Sequence, residues 1–244
     1  MDKNKIISLI PSYNPHNEYV KTVINELNKF SKVILFTTEP HNLDVSETIY
    51  YDKGVGRELV YKPREWLTEN IEADWEYALY NEDDIFIPEI SFRNVIELYK
   101  TLPSPFIPGL IRYEFDERDN TKRYFDMNPV HAIHRGYNGT IKEQFPNEQI
   151  WEPWNLHSGN WVFSKADIKN MIKNNVFETF YKQNGYQYGN CDQLESAASV
   201  PYLFYIKVYP YDFEKVECKH LPTKYINFSI NPTYKDIKDE LRSK

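Results

Sequence analysis

The chain has 244 residues, enough to bury a full hydrophobic core and few enough that one domain is expected. Lys and Arg number 29 against 36 Asp and Glu, a formal net charge of −7, which argues against a dedicated nucleic-acid binder because such a protein needs a basic face to neutralise phosphates. Two cysteines, Cys191 and Cys218, are too few for a disulfide-stapled scaffold or a four-ligand structural zinc site, and they fit a reduced, cytoplasmic protein.

The apolar run Ile6 to Ile10 stops at the breaker group Pro11-Ser12-Tyr13-Asn14-Pro15 with no small-residue cleavage site behind it, so it predicts a strand buried on both faces and not a signal peptide. Tyr19, Val20, Val23, Ile24, Leu27 and Phe30 carry the spacing of an amphipathic helix. Val33 to Phe36 is a second buried strand, ending at Thr37-Thr38-Glu39-Pro40. Strand, helix and strand in this order form the βαβ unit of an α/β fold, whose ligand crevice lies at the carboxyl ends of the strands. Thr48 to Tyr51 predicts a third strand, followed by Gly54-Val55-Gly56 and a helix from Arg57 to about Ile71; with no third glycine, a dinucleotide site is discounted. Trp75 to Tyr80 is apolar or aromatic apart from Glu76 and runs into Asn81-Glu82-Asp83-Asp84, then Ile85-Phe86-Ile87-Pro88.

A helix follows from Ser91 to Lys100, and Ile107 to Phe125 alternates as an antiparallel hairpin with Asp116 to Thr121 at its tip. The stretch from Asp126 to Asn160 has little periodicity, which marks a functional or a disordered segment, and its aromatic content favours the former. Val162 to Ser164 predicts a strand, Lys165 to Phe180 and Asp192 to Ser199 helices, Leu203 to Tyr209 the final strand, and Lys235 to Lys244 a charged tail in a frayed helix. No stretch reaches the roughly eighteen uncharged residues that span a bilayer.

The strongest chemical feature is Glu82-Asp83-Asp84 at a strand end. Three adjacent carboxylates repel one another, and at the crevice of an α/β sheet they are tolerable mainly where a cation sits. In an extended chain Glu82 and Asp84 point to one face and can share a divalent ion. The alternative is a solvated turn that caps the next helix. An apolar strand running into Glu-Asp-Asp, then an apolar run with Pro, resembles the acidic DxD element of GT-A glycosyltransferases, and IISLIPSYNP resembles their first strand and donor-binding turn.

That resemblance implies a single α/β GT-A-like domain: a Rossmann-like, mostly parallel central sheet flanked by helices, with a smaller antiparallel acceptor-side portion. Residues 1–100 would form the nucleotide-sugar-binding half, 101–234 the acceptor-binding half and 235–244 the tail. It implies Asp84 as ligand of a Mn²⁺ or Mg²⁺ ion on the donor diphosphate, with Glu82 and Asp83 facing the ribose or sugar and the base near Pro11, Tyr13 and Glu39. His220, after the final strand, is the further metal ligand that the resemblance implies. Asp192, opening a helix behind Tyr188-Gly189-Asn190-Cys191, is the implied general base, with Glu195 as substitute; Cys191 stands where relatives commonly carry an acid. Asp192-Gln193-Leu194-Glu195 is equally a capping box.

Trp151 to Trp161 gathers three tryptophans with amides and a glycine, a plausible wall for sugar and acceptor to which Trp154, His157, Asn160 and Trp161 contribute. Gly159 matches the glycine-bearing acceptor-side loop of the resembled family. Core packing of one or two of the tryptophans is the competing reading. Arg57 and Arg112 have the chemistry to reach a diphosphate, and His131, His134 and Arg135 lack a third zinc ligand. The function expected is sugar transfer from a nucleoside diphosphate sugar, UDP favoured, to a glycan or other hydroxyl acceptor with inversion. A metal-dependent hydrolase of a phosphate or glycosidic ester and a non-catalytic carbohydrate-binding protein are the alternatives.

Overall fold

The computed structural model describes residues 1–124, 150–151, 159–175, 205–223 and 232–243. These divide into two compact units: residues 1–85 with 159–175, and residues 86–124 with 150–151, 205–223 and 232–243.

The first unit is a mixed α/β layer on a mostly parallel sheet. Strands β1 (Ile6–Ser12), β2 (Lys32–Thr37), β3 (Glu47–Tyr50) and β4 (Tyr77–Asn81) are joined by β10 (Asn160–Ser164) in the order β10–β4–β1–β2–β3. β1 lies parallel to β2, from Ile7 with Lys32 to Ser12 with Thr37, and parallel to β4, from Ile6 with Tyr77 to Leu9 with Tyr80. β10 is antiparallel to β4, with Asn160 opposite Asn81 and Trp161 opposite Tyr80. Every residue of β1 is buried, as the unbroken apolar run predicts for a central parallel strand. Of its two buried serines, Ser8 is satisfied by Ser31 Oγ at 2.7 Å.

Helix α1 (Glu18–Leu27) begins where the Asn17 side chain accepts the Tyr19 N–H at 3.0 Å, and it buries Val20, Val23, Ile24 and Leu27. The single helix expected from Arg57 is instead a 3₁₀ segment (Lys53–Tyr61) leading into α2 (Lys62–Glu69). Gly56 takes a left-handed φ of +51° inside the 3₁₀ segment, and Pro63, which has no N–H to give, sits in the first turn of α2. Helix α4 (Lys165–Lys173) follows β10, capped by Ser164 Oγ accepting from the Asp167 N–H at 3.1 Å.

The second unit holds β5 (Ile85–Phe86) at its start, α3 (Glu89–Thr101), β6 (Phe106–Pro108), β7 (Ile111–Asp116), β8 (Thr121–Tyr124), β9 (Ile150–Trp151), β11 (Ile206–Pro210), β12 (Glu217–His220) and α5 (Tyr234–Ser243). The expected hairpin exists as β7 and β8, closed at Asp116 opposite Thr121. β6 stands apart from it and pairs parallel with β11, from Phe106 with Ile206 to Pro108 with Val208, and the Gly109 N–H donates to Val208 O at 2.9 Å. Leu203 to Tyr209 was expected to end the strands, yet β12 follows and pairs parallel with β7. The segment expected to fray is a helix anchored through Ile237 and Lys238, whose Nζ lies 3.8 Å from the Tyr211 ring centroid. No helix among the described residues is long and apolar enough to cross a membrane.

Candidate functional site

The order β4–β1–β2–β3 reverses between β1 and β4: the chain winds outward through β2 and β3, then returns to the other side of β1. At such a switch point the loops leaving the two carboxyl ends diverge and open a crevice, the usual ligand position of open α/β sheets. Ser12 ends β1 and Asn81 ends β4, so the acidic run begins at this point.

Residues 82–85 form a turn rather than an extended strand, with the Ile85 N–H donating to Glu82 O at 3.3 Å. Alternation therefore does not apply to Glu82 and Asp84, because the period of two holds only for extended backbone. Tertiary contacts fix the carboxylates instead. Ser12 Oγ–H donates to Asp83 Oδ2 at 2.5 Å, bridging the switch point from β1. The Glu82 N–H donates to Gly159 O at 2.8 Å, adding one more rung below the β4–β10 ladder. A Cβ on Gly159 would stand 2.7 Å from Glu82 Oε2 and 2.8 Å from Ile85 Cδ1. A methyl group here would push on the ends of the Glu82 and Ile85 side chains.

Burial pushes the Asp83 carboxyl up to about 6; the Ser12 bond opposes this, and the Asp84 and Glu82 charges add to it. This is the electrostatic condition of a site that favours a positive charge. Glu82, Asp83 and Asp84 carry hard oxygen donors of the kind that divalent ions take. Among the described residues no group of three or more His, Cys, Asp or Glu side chains is gathered so that it could hold a metal ion.

Around the turn, Tyr80 is buried and stacked on Trp161 with ring centroids 5.4 Å apart and planes 13° apart. Burial, with the Glu82 charge behind it, drives the Tyr80 phenol well above its ordinary range. Trp161 is 1% exposed, which gives it a place in the core between Tyr80 and Phe163. Asn160 is buried opposite Asn81. Arg64 is buried with its guanidinium 5.2 Å from the Tyr61 ring centroid, and burial lowers its affinity for the proton.

Pro11 is buried within β1 beside Phe36, while Tyr13, just past the end of β1, is 44% exposed. Glu39, beyond β2, pairs with Lys53 at 2.6 Å. His41 accepts the Leu43 N–H at Nδ1 and meets Thr48 Oγ1 with Nε2 at 3.0 Å, which places the ring proton on Nε2.

His220 and Asp84 belong to different units, each placed within its own. His220 is the last residue of β12 rather than a residue beyond the final strand. It is buried, and its Nδ1 lies 2.6 Å from Oε1 of the fully buried Glu114 on β7. Arg112 and Cys218 face each other in the same register and are both buried. Arg57 has its backbone in the 3₁₀ segment. Asp192, Glu195, Cys191, Trp154, His157, His131, His134 and Arg135 lie outside the described residues. Sequence reasoning missed Ser12 and Asn81, although both flank the motifs it used: Ser12 inside the breaker group, Asn81 at the head of the acidic run.

No family model matches the sequence, and no curated protein does. Among solved structures the chain is similar to a glycosyltransferase involved in the glycosylation of the major capsid of PBCV-1, at 11% identity and a TM-score of 0.44, over 92% of this chain and 97% of that one.

Proposed function

We propose that the chain is a glycosyltransferase that takes its sugar from a nucleoside diphosphate sugar, with Mn²⁺ or Mg²⁺ as cofactor and a glycan or other hydroxyl as acceptor. The observation that carries this reading is the acidic turn Glu82-Asp83-Asp84 at the β1/β4 switch point, tied to β1 by the Ser12–Asp83 bond. Asp84, with Glu82 and Asp83 beside it, would hold the ion, which when bound neutralises charge building on the departing diphosphate. The exposed ring of Tyr13 offers a stacking face for a base at the end of β1, with Glu39 at the end of the neighbouring strand. UDP is the donor nucleotide we favour.

For the acceptor we assign Asp192 as base, following the resemblance of its local sequence. Its carboxylate takes the hydroxyl proton while the acceptor oxygen bonds to the anomeric carbon and the bond to the diphosphate oxygen breaks, giving inversion. Holding acceptor and donor in line supplies much of the rate.

Thermal unfolding with Mn²⁺ across a panel of nucleoside diphosphates and their sugars tests the reading. A ligand at 100 times its Kd adds about 2.7 kcal/mol, worth roughly 5–10 °C for a chain of this size. The expected result is a shift that needs both the ion and one nucleotide and disappears in Asp84→Ala. A response to glycan without any to nucleotide overturns the transferase in favour of a binding protein, and turnover without an acceptor hydroxyl points to a hydrolase.

A further inference from the structure

Asn81 presents a buried amide that is satisfied on one side only. The residue is fully buried at the end of β4; its Nδ2 donates to Ile85 O at 2.8 Å, and among the described residues its Oδ1 has no hydrogen-bond partner. The orientation of the amide is not open to choice. Flipping it would set Oδ1 against the Ile85 carbonyl, acceptor against acceptor, so the donor side must face the turn and the acceptor side must go unmet.

A buried acceptor without a donor weakens the fold, and an apolar side chain at this interior position would carry no such penalty. What the amide alone supplies is the staple across residues 81–85. That staple encloses Glu82, Asp83 and Asp84, all three half-buried and within reach of solvent. Two other fixtures act on the same turn from neighbouring strands: Ser12 on Asp83, and the Gly159 seat under Glu82. Both hold individual residues; the Asn81 side chain, together with the backbone bond from the Ile85 N–H to Glu82 O, closes the loop across its ends.

We propose that Asn81 is a positioning residue for the acidic turn, its side-chain amide closing the 81–85 loop and so fixing where the Glu82, Asp83 and Asp84 carboxylates stand. What those carboxylates hold rests on the transferase reading; the closure of the turn does not. The trade is local stability surrendered for a preset constellation, the usual sign of a working site.

Amide hydrogen exchange and thermal unfolding of the full chain, wild type against Asn81→Leu, separate the two possibilities. Leu keeps the branched shape and removes both the staple and the unmet acceptor; Asn81→Ala serves as second variant should Leu overpack. The expected result is a Tm within about 3 °C of wild type or above it. Protection of the Glu82 and Ile85 amides should fall by roughly tenfold or more, with amides of Leu9 and Leu35 unchanged. Mn²⁺-dependent binding of UDP should weaken in parallel. Unchanged protection at Glu82 and Ile85 overturns the proposal, as does a Tm drop with uniform loss across β1 and β2, which would make Asn81 an ordinary core residue. If wild type shows no Mn²⁺-dependent UDP response while the exchange result holds, the transferase reading falls and the positioning role stands.

Discussion

Asp83→Asn should stabilise the folded chain at neutral pH and leave it unchanged in acid. The Asp83 carboxyl has an ordinary value of 3.8 and is pushed to about 6, by burial first and by its acidic neighbours after that. Below pH 4 the group is protonated in folded and unfolded chains alike and contributes nothing. Between pH 4 and 6 the unfolded chain gives up the proton while the folded chain retains it, so stability falls as pH rises. Above pH 6 the penalty is complete. At about 1.4 kcal/mol per pH unit it amounts to roughly 3 kcal/mol, an upper figure because Asp83 keeps part of its surface in water. Asn retains an oxygen to accept the Ser12 hydroxyl and carries no charge. Scanning calorimetry of both proteins at pH 4, 6 and 8 should therefore show matching Tm values at pH 4 and a variant advantage of up to roughly 5–10 °C at pH 8. Mn²⁺ should narrow that gap by stabilising the ionised wild type. An advantage of equal size at pH 4 and pH 8, or a less stable variant at pH 8, would refute the electrostatic account.

Two further substitutions probe neighbouring features. Gly159→Ala puts a methyl 2.7 Å from Glu82 Oε2 and 2.8 Å from Ile85 Cδ1. Overpacking of this kind costs about 1–3 kcal/mol; denaturant melts should show that loss, and Glu82→Ala in the same chain should recover part of it by vacating the seat. His220→Ala takes from the fully buried Glu114 its 2.6 Å partner. A buried hydrogen bond is worth about 0.5–1.5 kcal/mol, so urea unfolding should register a loss of that order, and a neutral result would mean that the Glu114–His220 contact adds nothing to the second unit.

The parts of the fold legible in the sequence are those whose burial is settled by the segment itself. β1, α1 and β2 follow from an unbroken apolar run, a helical stripe and a second apolar run, and the structure bounds them within a residue or two of the pattern for the strands. β12 was invisible for the converse reason. Its residues are Glu217, Cys218, Lys219 and His220, which show no apolar alternation. Glu217 is buried where Tyr124 and Lys122 donate to it, and His220 is buried against Glu114. Those partners lie about a hundred residues upstream, and no local window contains them.

The same division runs through the candidate site. By itself the sequence determined that a buried strand runs into three carboxylates, and that a breaker group follows the first strand, because hydrophobic runs and their terminators are written residue by residue. Only the tertiary structure decided that β4 returns beside β1, that the acidic run bends into a turn, and that Gly159, just ahead of the antiparallel β10, lies against Glu82. Ser12 and Asp83 are 71 residues apart in the chain. Their meeting depends on the order of strands in a sheet, which is set by the packing of all the strands and helices together and is carried by no single segment.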